Sequence, residues 1–126
     1  MDGTKAPRLV AVNVGVKSPE ELDTAKRFWE TLFGVSLADW GQGSQQARIG
    51  SDDNFFYFNI RVRTSDEPQY GHGAAFGLSV DNVDDFHRRA LAAGAKEHVA
   101  PTDGDGMPRR ARFEDPVGNR VVIWQG

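Results

Sequence analysis

The chain contains no cysteine, which removes disulfides, thiolate zinc sites and a cysteine nucleophile at once. It has only three histidines, His72, His87 and His98, with no carboxylates converging on them in sequence. A catalytic metal ordinarily takes three protein ligands, so no metal and no other cofactor is expected. No apolar run approaches the length of a membrane span. The opening stretch MDGTKAP (1–7) lacks the apolar centre of a signal peptide and reads as a frayed, flexible terminus. Lys and Arg are scattered under a formal net charge of -3, without the basic stripe that nucleic-acid binding requires. These absences predict a cytoplasmic protein with neither a membrane nor a nucleic acid as partner.

What is present is ordinary in bulk and informative in order. A length of 126 residues suits one compact domain. Hydrophobic content of 39% and charged content of 26% are those of a globular protein. LVAVNVGV (9–16) alternates as a strand does, with Val10, Val12, Val14 and Val16 on one face. Ser18-Pro19-Glu20-Glu21 then opens a helix: Ser18 caps, Pro19 suits the first helical position and Glu21 completes a capping box. Leu22, Ala25, Trp29, Leu32 and Phe33 form its apolar stripe, and Gly34 ends it. Strands are expected near 35–40, 46–50 and 54–62.

The same order then returns. AAFGLSV (74–80) is a strand, Asn82 caps a second helix, and Asp84 and Asp85 lie in its first turn where the dipole favours them. Val83, Phe86, Ala90 and Leu91 form its stripe, Gly94 stops it, and strands follow near 96–100, 109–114 and 119–124. The chain is thus two βαβββ modules, 8–64 and 74–126, within one domain over 8–126. SDEPQYGHG (65–73) is the crossover. TDGDGMP (102–108) lacks the later ligands of a calcium loop and reads as a mobile turn or lid. His87 is expected in solvent, off the stripe, and His98 on a strand facing either way.

Three segments in this order, LVAVNVGVKSPEELDTAKRFWETLFGV, AFGLSVDNVDDFHRRALAAGA and FEDPVGNRVVIW, resemble the vicinal oxygen chelate superfamily, which includes glyoxalase I, bleomycin-resistance proteins and extradiol dioxygenases. The resemblance implies an α+β fold in which two βαβββ modules curl into an open mixed-sheet barrel around a central cavity. It also implies metal ligands on the first and last strands of each module. Carried over by register, those positions fall at Ala11 and Ala75, and at Tyr57 and Val122, with Asn59 reached by a shift of two. Ala, Val and Tyr are not usual ligands for a divalent ion at a His/Glu site, and Asn is a weak neutral donor. The resemblance therefore lies nearest a metal-free, bleomycin-resistance-like member.

Strand alternation assigns the opposite face to the cavity. On the first module this places Asn13, Tyr57, Asn59 and Arg61 there, and on the second Arg110, Arg112 and Trp124. Trp40 is a candidate stacking platform beside them, and a bulge would bring His72 inward. Amides and aromatics supply hydrogen bonds and stacking faces, and an arginine meets an anionic group through a charge-assisted bond. The bland alternatives are strand arginines paired with Glu114 or Asp115, and Tyr57 and Asn59 meeting across a dimer interface. DPVGN (115–119) is read as a turn, with no catalytic role for Asp115. No catalytic residue is assigned.

The expectation is a metal-free small-molecule-binding protein, a homodimer that sequesters a planar or amphipathic compound. The alternatives are a glyoxalase-like lyase, isomerase or dioxygenase, metal-dependent or using an acid/base pair drawn from His72, Tyr57 or Glu114, and a module that binds another protein.

Overall fold

The computed structural model describes residues 9–41, 43–63 and 75–126. The expected crossover at 65–73 and His72 lie outside the described residues. The first module runs β1 (Ala11–Val16), α1 (Pro19–Phe33), β2 (Ala38–Gly41), β3 (Ser44–Gly50) and β4 (Phe55–Val62). The second repeats the order with β5 (Ala75–Val80), α2 (Val83–Ala92), β6 (Lys96–Gly104), β7 (Met107–Glu114) and β8 (Arg120–Gln125). Each forms its own four-stranded mixed sheet, ordered β1-β4-β3-β2 and β5-β8-β7-β6. First and last strands pair in parallel in both, and the rest antiparallel. The two sheets do not close into one barrel, because no strand of one pairs with a strand of the other among the described residues.

Local chemistry sets the helix ends. Ser18 Oγ accepts from the Glu21 N–H at 3.1 Å, and Gly34 closes α1 in the left-handed region at φ 69°. The Glu21 carboxylate turns back to the Lys17 N–H at 2.9 Å, one residue outside the expected capping box. Asn82 caps α2 by accepting from the Asp85 N–H at 3.0 Å.

One apolar core serves both modules. The Trp29 ring of α1 lies 4.9 Å from Phe58 of β4 and 5.7 Å from Phe76 of β5, while Phe28 meets Phe113 of β7 at 6.3 Å. Val14, Val16, Ile60, Val121 and Ile123 complete it, so each sheet gives one face to the helices and leaves the other open. Aromatic pairs at these distances add to the burial of their area.

Three expectations change. Val10 precedes β1 and is 59% exposed, so the expected valine face enters the core only from Val12 onward, with Val14 and Val16 fully buried. His87 is buried at 3%, because Val83, Phe86, His87 and Ala90 stand at helical spacing on one face of α2. Its Nε2 lies 2.9 Å from a Glu97 carboxylate oxygen. TDGDGMP is no lid: β6 and β7 run through it to a two-residue turn, with Asp105 and Gly106 both at positive φ (58° and 69°). That is the Asp-Gly geometry that matches the twist of paired strands.

Candidate functional site

Among the described residues each open face carries a pocket of its own. The first, about 490 Å3, lies on sheet one. Asn13 and Asn59 are paired neighbours on β1 and β4, and the Asn59 Nδ2 donates to Asn13 Oδ1 at 2.8 Å across them. Arg61 and Gln46 flank this amide pair, Arg63 closes one side, and Trp40 stands at the mouth with 68% of its surface exposed. Gly15 is covered by the Arg63 side chain, which lies 2.8 Å from where a Cβ would stand. Gln45 belongs to the same lining, and its Oε1 is buried without a hydrogen-bond partner among the described residues. An acceptor left so costs about 1–3 kcal/mol until a donor reaches it.

The second pocket, about 240 Å3, lies on sheet two with Ala75 and Val122 on its floor and Arg112 and Arg120 in its walls. His98 enters through a bulge. The register passes from Glu97–Phe113 to Val99–Arg112, so His98 is the extra residue on β6. Its side chain thereby lies on the open face, Nε2 2.8 Å from Glu114 Oε2.

Of the residues expected at a site, Asn13, Trp40, Asn59 and Arg61 come together in the first pocket and Arg112 lines the second. Tyr57, Arg110 and Trp124 stand outside both linings. Tyr57 is 40% exposed and packs edge-on against Phe55 at 5.6 Å. Arg110 is held at the β6–β7 turn, 3.5 Å from the carbonyls of Gly104 and Pro108 and 3.9 Å from Asp105. Trp124 packs over Gly77, where an added Cβ would stand 3.4 Å from its Nε1. His72 lies outside the described residues.

Among the described residues no ion pair links an arginine to Glu114 or Asp115. Glu114 is taken by His98, and Asp115 turns inward at 3% exposure. It accepts from Trp29 Nε1 at 2.9 Å, from Asn119 N and Nδ2 at 2.8 Å each, and from Val117 N at 3.1 Å. Burial nonetheless raises its pKa above the usual carboxyl value, outweighing the bonds from Asn119, Trp29 and Val117 that favour its charge. It is a structural staple between the modules.

Sequence reasoning passed over Arg120, Arg63 and Gln46. Arg120 was recoverable, since alternation back from Val122 puts it on the open face. Gln46 follows likewise from its pairing with Asn59, but pairing register is not readable from one sequence. Of the positions carried over for metal ligands, Ala11 pairs with Tyr57 and Ala75 with Arg120, while Val122 pairs with Gly77 as Asn59 does with Asn13. Ala11, Ala75, Tyr57 and Val122 bring no imidazole or carboxylate, and Asn59 brings only a neutral amide already bonded to Asn13. These residues do not fit a divalent cation. Among the described residues no three His, Cys, Asp or Glu side chains gather where they could hold one.

A family model described as the Glyoxalase/Bleomycin resistance protein/Dioxygenase superfamily matches residues 16–123, and the chain belongs to that superfamily. Similar solved structures include a glyoxalase-related enzyme from Fulvimarina pelagi, 17% identical with a TM-score of 0.69 over 94% of this chain and 88% of that one. A family enzyme from Burkholderia phytofirmans PsJN is 18% identical, with a TM-score of 0.71 over 93% and 97%. A glyoxalase/bleomycin resistance protein from Albidiferax ferrireducens T118 is 23% identical, with a TM-score of 0.68 over 91% and 96%. At such identities the likeness establishes the fold, which hosts many chemistries. None of the curated proteins matches the chain in sequence. Among the described residues no helix is long and apolar enough to cross a membrane.

Proposed function

We propose that this protein is a metal-free small-molecule-binding member of the superfamily, which takes a planar or amphipathic compound into the first pocket. The observation that carries this reading is the Asn13–Asn59 amide pair at the base of a pocket of about 490 Å3. Neutral amides bonded to each other offer donors and acceptors to an organic molecule and little to a cation. Trp40 at the mouth gives a stacking face, and Arg61 a charge-assisted contact for an acidic group. The pocket volume falls within the range of drug-sized sites, about 300–1,000 Å3.

A homodimer is part of the same reading. Each sheet leaves one face uncovered, and a second copy laid across them would enclose a bound compound. Sedimentation is expected to give twice the 13.9 kDa of one chain. A sequestering role of the resistance type follows if binding proceeds without turnover.

A screen of planar and amphipathic compounds by tryptophan fluorescence tests the proposal. Expected is a saturable binder whose affinity falls about tenfold in Asn59→Ala, the loss of roughly one good hydrogen-bonding group. Trp40→Phe is expected to remove most of the quenching. Binding that ignores both substitutions would sink the idea. So would stoichiometric zinc, iron, nickel or manganese in untagged protein, which would restore metal-dependent lyase, isomerase or dioxygenase chemistry. Turnover of a bound compound without metal would favour an acid/base enzyme, for which the His98–Glu114 pair is the available couple.

A further inference from the structure

The second pocket shares no lining residue with the first, and the binding reading above does not use it; only the alternative acid/base couple reaches it, through His98. Its contents are specific. Arg112 and Arg120 project from adjacent strands β7 and β8 on the open face, and neither forms an ion pair among the described residues. Glu114 stands directly opposite Arg120 in the strand register, yet its carboxylate is engaged by His98 at 2.8 Å. That bond fixes the imidazole, and the ring nitrogen turned away from Glu114 is left for a bound molecule. Between these groups the floor is apolar and low, built from Ala75 and Val122.

We propose that this pocket binds a small monocarboxylate, its carboxylate between Arg112 and Arg120 and its short carbon body over Ala75 and Val122, with His98 as a third polar partner. Charge selects the class. Two guanidiniums against the Glu114 carboxylate leave one positive charge around the pocket when His98 is neutral, which a monoanion cancels. A phosphate dianion would leave negative charge beside Glu114. Guanidinium forks match the two oxygens of a carboxylate in plane and spacing. Size limits the body: at about 240 Å3 the pocket is about half the first in volume and falls below the usual range of drug-sized sites, about 300–1,000 Å3. The bulge at His98 is what makes the site, because without the extra residue the imidazole and Glu114 would not meet on this face.

The probe is isovalerate, titrated into the isotopically labelled protein and followed by amide and imidazole NMR, with isovaleramide and inorganic phosphate as comparators. Expected are saturable shifts at Ala75, Val122 and the His98 ring, with isovaleramide at least about tenfold weaker because it lacks the charge. Arg112→Gln and Arg120→Gln are each expected to weaken isovalerate about tenfold while the signals of buried Val121 and Ile123 stay in place. His98→Ala should weaken it by less. Equal affinity for the acid and the amide overturns the proposal, as does tighter binding of phosphate, absence of saturable shifts, or shifts confined to sheet one. Since the pockets have no residue in common, failure here leaves the first-pocket reading standing, and the reverse also holds.

Discussion

The two modules share strand order, the register of their parallel first and last strands, and one core, and differ at most of the positions that face outward from their sheets. At the third residue of the first strand, module one has Asn13 bonded to Asn59, and module two has Gly77 beside Val122. One place therefore offers hydrogen bonds and the other a low apolar floor. At the turn before the last strand the contrast reverses. Module one crosses it on exposed residues 51–54, held by a backbone pair between Ser51 and Asn54. Module two crosses it on buried Asp115 and Asn119, tied to the helix of the other module. A repeated fold keeps its inward half because packing constrains it, while the outward half is free to diverge.

If the shared core couples the modules, its loss should be felt by both. Trp29→Ala removes a fully buried indole between Phe58 and Phe76 and should cost about 4 kcal/mol, read by urea denaturation. Far-ultraviolet circular dichroism and fluorescence should then report one coincident transition; two separated transitions would mean that the modules are independent after all. Next in size, Asp115→Ala strands the Trp29 indole N–H and the Asn119 amide, for an expected loss of about 3 kcal/mol. At the corresponding turn of module one, Asp52→Ala should change stability by less than about 0.5 kcal/mol, since its ion pair with Arg48 is solvent-exposed. Similar costs at the two turns would erase the contrast drawn above.

A subtler probe is pH. Burial raises the Asp115 pKa from 3.8, so the native state holds this proton more tightly than the unfolded chain does. Its contribution is fully present below about pH 3.8 and is lost as pH rises through the raised native value. Denaturation midpoints of the parent and Asp115→Asn should therefore differ most in the parent's favour at low pH, with that margin shrinking as pH rises. A constant margin would mean that Asp115 keeps its ordinary pKa. Smallest in stability should be Asn13→Ala combined with Asn59→Val, which gives module one a floor like that of module two. Removing both amides together leaves neither partner unsatisfied and should be nearly neutral for stability, while abolishing the compound binding expected of the first pocket.

How much of this was legible beforehand depends on the kind of signal. Helix caps at Ser18 and Asn82, stripes at helical spacing and Gly34 are local, and they placed α1 and α2 to within a residue or two. The alternation of β4 and β8 also separated core from open face correctly at Phe58, Ile60, Val121 and Ile123. His87 was misread although Val83 and Ala90 flank it at helical spacing, because residue polarity was weighed above periodicity. At 102–108 the turn was legible but not its extent, since β6 and β7 continue to Gly104 and from Met107 around the Asp105–Gly106 pair that a two-residue hairpin needs. The separation into two pockets was out of reach. It depends on which strands pair and on a bulge at His98, and neither leaves a trace in residue order alone.

The Trp29–Asp115 bond joins partners 86 positions apart in the chain. During synthesis, at roughly 5–20 residues per second, the helix bearing Trp29 waits about 4–17 seconds before its partner emerges. Through that interval the aromatic face that later meets Phe76 and Phe113 has no second module to cover it. The first half of the molecule is then a sticky, incomplete intermediate, and its escape from aggregation rests on how soon the second half arrives.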